Sequence, residues 1–562
     1  MHPECPACGC LTKLARSLMG ARQTKNSNRA NRGRYMHSLN YWKTTVAAAG
    51  MTLALGVGAA SAESVLRVAP HADLKNTDPI WTTAYITRNH GYLVYDNLFA
   101  VDANGIPQPQ MVGDYKVSDD GLEYTFTLRD GLAWHNGAPV TAEDCVASLQ
   151  RWSKRDGMGQ KLFDFVDKIE AVDAKTFKMT LKEKYGLVLE SIGKISSNTP
   201  FMMSKEHAAT DAFTQVTDVM GSGPFKFVKD EWLPGSKVVY VKNPDYKPRS
   251  DAPSSAAGGR VAKVDRVEWI YIPDAQTTLN ALANGEIDYW EAPSPDMMAQ
   301  LESTDGVKVE LIDPLGAQGW LRLNHTLPPF NNVKARQAVL NAVNQEDYLR
   351  VIVGDPKFYK VCPAYFICGS PNATTAGSEG LKQDFEKSKA LLKEAGYNGE
   401  KIVMMQPTDI PVLNSATIVT AEILRKIGMN VDIQAMDWST LTSRRALKEP
   451  LSNGGWNIFH TYATGADAQS PVANIGISGG CEEKAWFGWP CDAEIEKLRD
   501  DYAREPNKEK QKAIVEALQK QIYKTVPNIL YGQFFQPVAY SSKLSGVLIS
   551  PVPFFWNIEK QG

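Results

Sequence analysis

Acidic and aromatic residues follow three predicted strands in the second half of the chain. They are Asp409, the pair Asp437 and Trp438, and the segment from Tyr462 to Asp467. An indole beside a carboxylate suits a solute that has an apolar part and a cationic group. We therefore expect a binding site for an amine-bearing small molecule here.

The elements that would bring these residues together alternate regularly from Asp384 onward. Apolar periodicity and helix-ending glycines predict, in order, helix 384–395, strand 401–405, helix 415–427, strand 430–436, a helix to about 448 and strand 457–462. This order is typical of a parallel sheet with right-handed crossovers. Because ligands of such sheets bind beyond the carboxyl ends of the strands, the three loops should meet at one edge.

Asp467 and Trp438 differ in what else could explain them. Asp467 lies in a Gly-Ala-rich loop where no helix requires its charge. Trp438 could equally be a core residue at the start of its helix. Catalysis is not expected, since no H-E-x-x-H or P-loop pattern appears and 63 acidic residues produce carboxylate pairs by chance. We predict neither an enzyme nor a cofactor.

The N-terminal region predicts export. Lys43 precedes an apolar run at 46–57, and the small-residue motif 60–62 stands just before Glu63. Residues 36–62 are therefore predicted to be a signal peptide, and the product to be periplasmic. It should not be a lipoprotein, because no Cys stands at the cleavage point. Residues 1–35 are interpreted as a disordered extension or a mis-assigned start, whose three cysteines (Cys5, Cys8, Cys10) lack a fourth zinc ligand at good spacing.

Composition excludes some partners. After removal of residues 1–62, 53 basic and 62 acidic residues remain, a net charge of −9. An acidic protein has no electrostatic basis for binding nucleic acid or anionic lipid, and no later apolar run reaches membrane-spanning length. The remaining 500 residues are too many for one core and suggest two or three lobes.

Five cysteines follow the predicted cleavage point. An oxidising compartment favours local pairing, and two short loops each contain two cysteines among Pro, Gly and aromatic residues. We predict the disulfides Cys362–Cys368 and Cys481–Cys491, each contributing about 2 kcal/mol. Cys145 is expected to be a small buried apolar residue.

Two segments carry a family resemblance. LRDGLAWHNGAPVTAEDC, residues 128–145, and PPFNNVKARQAVLNAVNQ, residues 328–345, resemble the dipeptide- and oligopeptide-binding proteins of ABC importers, family 5 of the extracytoplasmic solute-binding proteins. The resemblance implies an α/β, two-lobed periplasmic binding protein-like fold (type II, cluster C). Lobe I would comprise 63–317 and 524–562, with an extra subdomain at about 98–218. Lobe II would comprise 318–523, with a hinge between the lobes.

The resemblance also implies roles for individual residues. Relatives hold the ligand's α-amino group with an aspartate in the loop that here contains Asp467, although Ser470-Pro471 stands where they often have Asp-Pro. Residues at the start of a first-lobe helix line the cleft, which nominates Thr83, Tyr85 and Arg88. Arg88 could instead be merely solvated. Trp320 is a further aromatic candidate, or else a hinge-packing residue, and no partner for a ligand carboxylate could be assigned.

The function expected from this resemblance is that of a periplasmic receptor for a short peptide or similar amine-bearing solute. The protein, expected to be a monomer, would deliver the solute to a membrane permease with its ATPase subunits. Alternatives are a receptor for a nickel chelate, haem, an opine or an oligosaccharide, and, from another class, a periplasmic hydrolase. His460 is the one histidine placed near Asp467, and a hydrogen-bonded core imidazole is the competing interpretation.

Overall fold

The computed structural model describes residues 63–561. The strands are β1 Val65–Ala69, β2 Phe99–Val101, β3 Pro107–Pro109, β4 Val112–Val117, β5 Glu123–Leu128, β6 Val166–Ala171, β7 Thr176–Leu181, β8 Phe225–Phe227, β9 Lys237–Lys242, β10 Arg266–Ile270, β11 Tyr289–Trp290, β12 Val307–Glu310, β13 Ala317–Leu323, β14 Tyr359–Lys360, β15 Lys401–Pro407, β16 Asn430–Met436, β17 Ile458–Thr464, β18 Asn528–Phe534, β19 Val538–Ser541, β20 Leu544–Ser545 and β21 Glu559–Lys560.

Helices connect most of these strands. They are α1 Tyr85–Val94, α2 Ala142–Arg155, α3 Gly157–Phe165, α4 Val188–Ile192, α5 Lys205–Ala208, α6 Ala275–Ala283, α7 Met298–Glu302, α8 Val333–Ala342, α9 Gln345–Ile352, α10 Phe385–Glu394, α11 Pro411–Lys426, α12 Trp438–Arg444, α13 Gly465–Ala468, α14 Cys481–Lys484, α15 Ala493–Arg504 and α16 Lys508–Thr525.

Two large sheets organise the molecule. The first has seven strands in the order β12-β19-β11-β1-β10-β9-β8, with β1 parallel to both of its neighbours. The second has six strands in the order β14-β18-β13-β17-β15-β16. We call the parts of the chain built on these sheets the first lobe and the second lobe.

The second sheet contains the predicted parallel unit. β15 pairs in parallel with both β16 and β17, so the three loops that follow these strands lie at one edge. β13, buried along its whole length, continues the sheet through antiparallel pairing with β17. Helix α11 begins at Pro411, four residues earlier than predicted, because proline fits the first helical turn. Helix α12 ends at Arg444, short of the predicted 448.

A smaller antiparallel sheet has the order β4-β5-β7-β6, and the family-like segment 128–145 begins at the last residue of its strand β5. Its strand β5 leads to α2, which Thr141 and Asp144 begin with a reciprocal capping box, as their spacing predicts. Phe126 and Leu128 of β5 are buried. Cys145 is also buried, as expected.

The C-terminal return differs from the expectation. Strand β18 pairs with β13 and β14 of the second sheet, although residues 524–562 were assigned to lobe I. The chain re-enters the first sheet only with β19, at Val538. Pairing between strands about 200 residues apart leaves no local sequence pattern, so the position of this crossing was not predictable. The other lobe limits stay predictions.

The two predicted disulfides, Cys362–Cys368 and Cys481–Cys491, are present. The predicted signal peptide, the N-terminal extension and its cysteine cluster lie outside the described residues. Between residues 63 and 561, none of the helices is both long and apolar enough to cross a bilayer.

Candidate functional site

A cavity lies between the two lobes, and both contribute to its walls. We call it the main cavity. Six of the seven predicted ligand-binding residues line it: Thr83, Tyr85, Trp320, Trp438, Tyr462 and Asp467. Arg88 lines an adjoining cavity, which shares His71, Tyr85 and Tyr462 with the first. The sequence therefore predicted correctly that these loops meet, while the ligand-binding roles of the residues stay predictions.

Asp467 is the acidic centre of the main cavity. It lies on α13, directly after β17, and only 3% of its surface is exposed. Its Oδ2 accepts hydrogen bonds from Tyr85 Oη at 2.7 Å, Ser196 Oγ at 2.8 Å and Thr464 Oγ1 at 3.1 Å. Its Oδ1 accepts no hydrogen bond from the residues that the structure describes. One carboxylate oxygen is thus fixed by hydroxyl groups, and the other has no hydrogen-bond partner in the described part of the chain.

These hydrogen bonds join the two lobes. Tyr85 begins α1 of the first lobe, and its hydroxyl also accepts a hydrogen bond from the Thr464 backbone N at 2.9 Å. Ser196 belongs to the first lobe as well. Burial and the nearby Asp467 carboxylate raise the pKa of Tyr85, so its hydroxyl stays protonated and donates. The described arrangement is therefore a closed one.

Arg88 is buried rather than solvated. Its Nη1 donates to Ser196 Oγ at 2.6 Å, its Nε and Nη2 donate to Asn89 Oδ1, and its guanidinium carbon lies 4.2 Å from the Tyr85 ring centroid. The alternative of a merely solvated side chain is wrong, since 4% of the residue is exposed. Arg88 supports Asp467 indirectly, through the Ser196 hydroxyl and the Tyr85 ring, whose residues both contact the carboxylate.

The aromatic candidates form one wall. Trp320 donates its indole N–H to Gln318 Oε1 at 2.9 Å and meets Trp486 edge-on, with ring centroids 6.1 Å apart. Tyr462 lies 5.9 Å from Tyr85, centroid to centroid. Trp438 is a buried residue at the start of α12, and it also lines the main cavity. This wall suits the apolar part of a solute.

The other two acids selected at the strand ends have structural partners. Asp409 Oδ1 accepts a hydrogen bond from the Trp438 backbone N at 2.7 Å. Asp437 caps α12 and pairs with Lys75 of the first lobe at 2.7 Å. Neither lines the main cavity. The convergence of the loops was correct, and Asp467 is the acid that it brings into the space between the lobes.

His460 does not face the main cavity. Its Nδ1 lies 3.1 Å from Thr417 Oγ1, whose proton goes to the Leu413 carbonyl, and its Nε2 lies 2.6 Å from Thr420 Oγ1. Nδ1 therefore donates and Nε2 accepts, as in a neutral imidazole. Burial lowers the pKa of His460 to about 3. Both ring nitrogens are occupied, so His460 offers nothing to a metal chelate or haem.

Residues 476–480 match the G-x-S-x-G pattern of serine hydrolases, but their geometry is not that of a nucleophile. Ser478 follows a short 3₁₀ turn, Ile475–Ile477, instead of a strand. Its hydroxyl donates to the Lys484 carbonyl at 3.2 Å. The pattern here belongs to the loop that packs beside the cavity.

Sequence reasoning missed Arg445, which follows α12 and lines the main cavity. A pair of arginines at a helix C-terminus is ordinarily explained by the helix dipole, so no local pattern distinguished it. Trp486, in the Cys481–Cys491 loop, also lines the cavity.

Comparison with known proteins gives the family. Residues 107–484 match the middle region of the bacterial extracellular solute-binding proteins, family 5. A probable peptide ABC transporter periplasmic-binding protein of Sinorhizobium fredii is 40% identical over 506 residues, which cover 89% of this chain and 94% of that protein.

Two solved structures share the fold. The periplasmic binding protein AgaA of A. tumefaciens R10, in complex with agropinic acid, has a TM-score of 0.75 at 21% identity, covering 89% of this chain and 99% of that one. DppA from Helicobacter pylori, in complex with the peptide STSA, has a TM-score of 0.72 at 24% identity with the same coverage. The predicted two-lobed α/β fold is confirmed.

Proposed function

The chain belongs to family 5 of the bacterial extracellular solute-binding proteins, and from this we propose that it captures a short peptide or a similar amine-bearing solute between its lobes. The solute would then pass to a membrane permease with its ATPase subunits. We further propose that the protein acts in the periplasm as a monomer, after removal of residues 1–62.

The observation that carries this proposal is Asp467, a buried carboxylate between the lobes with one oxygen left for a ligand. An ammonium group that reaches Oδ1 would form a charge-assisted hydrogen bond in a site that excludes water. The hydroxyl groups on Oδ2 come from both lobes. A ligand ammonium at Asp467 would therefore favour the closed form over an open one.

The surrounding groups favour a solute with an apolar portion. Trp320, Trp438 and Tyr462 present ring surface to the main cavity, and burying such surface stabilises a complex by about 25 cal/mol per Å² before the costs of association. The named relative, a probable peptide receptor, agrees with this chemistry.

The test starts with the protein isolated from the periplasm. Native mass spectrometry would identify any solute that co-purifies, and calorimetry would measure the affinity for that solute and for a panel of dipeptides. Small-angle scattering with and without ligand should show a decrease in the radius of gyration on binding. A scattering profile that never changes, or failure of every amine-bearing solute to bind, would contradict the proposal.

A further inference from the structure

Residues 112–186 form a small unit, in which α2 and α3 pack on the sheet β4-β5-β7-β6. We call it the small-sheet unit. Helix α2 fixes it to the first lobe, because Arg151 pairs with Asp78, with both side chains fully buried, and Arg155 Nη2 donates to the Trp81 carbonyl at 2.7 Å. Among the described residues that line the main cavity, none belongs to this unit.

Helix α15 is fixed to the second lobe by Arg499, which is 1% exposed. Its Nε donates to the Pro471 carbonyl at 2.9 Å, and its Nη2 donates to the Val472 carbonyl at 2.8 Å. Both carbonyls follow α13, the short helix that carries Asp467. Helix α15 should therefore move with the acidic centre of the main cavity, whereas the small-sheet unit should move with the opposite lobe.

An ion-pair cluster joins the small-sheet unit to α15. Lys161 of α3 lies 2.9 Å from Glu496 Oε2 and 2.5 Å from Asp500 Oδ1, and the Lys161 side chain is 10% exposed. Glu496 also pairs with Arg499 at 2.6 Å. Burial raises the pKa of Glu496, but the charges of Arg499 and Lys161 outweigh burial and lower this pKa to about 2. Glu496 is therefore ionised at neutral pH and attracts Lys161 across the interface.

Two further contacts lie beside this cluster. The Gly186 backbone N donates to the Ala503 carbonyl at 3.1 Å, a main-chain hydrogen bond between the lobes. Glu183 accepts hydrogen bonds from Arg504 Nη2 at 2.9 Å and from Arg504 Nε at 3.2 Å. The Glu183 and Arg504 side chains are 54% and 40% exposed. Exposed ion pairs exchange readily for water, so these contacts suit an interface that opens and closes.

The contacts lie away from the points where the chain crosses between the lobes. The crossings are residues 311–316, between β12 and β13, and residues 535–537, between β18 and β19. Residues of both crossings line the adjoining cavity. Met158 of α3 and Tyr502 of α15 line another cavity, whose described lining includes no residue of the crossings. Because rotation about a hinge displaces distant groups most, opening of the lobes would separate these contacts.

We propose that these contacts are an interlobe latch, which favours the closed form even when no solute is bound. The latch consists of four residues of the small-sheet unit and five of the second lobe: Lys161, Asp164, Glu183 and Gly186 against Lys484, Glu496, Asp500, Ala503 and Arg504. This inference rests on the lobe closure proposed above. Since a solute binds the closed form, the latch changes the affinity for every solute by one common factor, through the closed fraction.

The test uses the full protein without solute and follows amide hydrogen exchange by mass spectrometry. The Gly186 amide is bonded only while the latch is closed, so the wild type should exchange it about 3- to 10-fold more slowly than an unstructured peptide does. Lys161→Glu places a third carboxylate against Glu496 and Asp500, and this repulsion should raise the exchange to the rate of the unstructured peptide. Small-angle scattering should show a larger radius of gyration for this variant.

Lys168→Glu is the matched control. Lys168 lies in the same small-sheet unit and pairs with Glu170 of its own strand at 2.7 Å, with side chains 62% and 49% exposed. The control makes the same change of charge away from the second lobe, so exchange and radius should stay as in the wild type. Circular dichroism checks that both variants fold.

A charge swap provides a second test of the latch, whether or not Lys161→Glu folds. Glu183→Arg sets two arginines against each other and should also speed exchange of the Gly186 amide. Adding Arg504→Glu restores an opposite pair and should return the exchange to the wild-type rate. Failure of this rescue would overturn the proposal.

Three other results would overturn the latch. One is a Gly186 amide that is unprotected in the solute-free wild type. Another is faster exchange in Lys161→Glu with an unchanged radius, because the small-sheet unit would then have separated from α15 without opening of the lobes. The third is a loss of affinity in Lys161→Glu that is confined to one of several solutes. If no amine-bearing solute binds, the peptide function fails, while exchange and scattering still decide the latch.

Discussion

Buried charged side chains have different partners in the interior of the first lobe and in the cleft between the lobes. In the interior, Arg151 pairs with Asp78 and Arg260 with Asp96, and all four side chains are fully buried. In the cleft, Asp467 is held by three hydroxyl groups and Arg445 by one. Interior charges are neutralised permanently, whereas cleft charges have neutral partners that leave room for the charges of a solute.

The largest effect should come from breaking an interior pair. Asp78→Asn leaves the Arg151 guanidinium buried without its counter-charge, so the free energy of unfolding should fall by about 3–5 kcal/mol. Urea denaturation followed by circular dichroism would measure it. Arg350→Gln, which removes one member of an exposed pair with Glu346, should change stability by less than 1 kcal/mol. Equal effects of the two variants would refute the distinction drawn for the interior.

The next effect concerns the cleft and should appear in binding instead of stability. Asp467→Asn keeps an oxygen for the hydroxyl donors but removes the charge, so affinity for an amine-bearing solute should fall by about 2–3 kcal/mol. Calorimetry gives the affinity, and thermal unfolding should show little change. Asp437→Asn is the matched control, since asparagine also caps helices and Asp437 lies outside the main cavity; loss of its exposed pair with Lys75 should change the affinity by less than about 1 kcal/mol. A large stability loss in Asp467→Asn would place Asp467 with the structural charges.

Both lobes contain buried histidines that are neutral in the folded protein. Burial lowers the pKa values of His90 and His460 to about 3, against an unfolded value near 6.5. The unfolded chain binds these protons first, so stability should decrease by about 1.4 kcal/mol per pH unit for each histidine as pH falls from 6.5 toward 3. In His460→Gln, the slope from urea denaturation at several pH values should be shallower by that amount. An unchanged slope would show that His460 is protonated in the folded protein.

A smaller effect is expected from a single cleft hydroxyl. Tyr85→Phe removes the donor to Asp467 and the acceptor for the Thr464 backbone N, so solute affinity should fall by about 1 kcal/mol. Tyr92→Phe is the control, because the Tyr92 hydroxyl donates to the Ile195 carbonyl in the interior. That change should alter stability and leave the affinity measured by calorimetry intact. The reverse pattern would contradict the assignment of Tyr85 to the cleft.

The smallest effect belongs to the exposed pair at the rim. Lys75 and Asp437 join the lobes with side chains that are 46% and 42% exposed. Lys75→Gln should weaken solute binding by less than 1 kcal/mol, and the difference should vanish in 0.5 M salt because exposed charges are screened. A loss that persists at high salt would show that this rim pair, too, acts as a buried contact.

The sequence predicted local features well because their causes are local. The box of Thr141 and Asp144 begins α2, Asp384 caps α10, and the parallel unit placed Asp467 at the correct edge. What it could not predict depends on distant partners. Strand β18 joins the second sheet through β13, far away in sequence. Arg445 is distinguished only by its surroundings in space, where a single hydroxyl, that of Thr83, accepts a hydrogen bond from it.

The position of the Cys481–Cys491 loop should affect the intrinsic tryptophan fluorescence of the protein. It holds the Trp486 indole against Trp320 and 5.3 Å from the Arg445 guanidinium, on the wall of the main cavity. Indole emission responds to nearby charge and to water. Intrinsic fluorescence should therefore report occupancy of the cleft without any attached dye, and a reductant that opens the loop should blunt that signal.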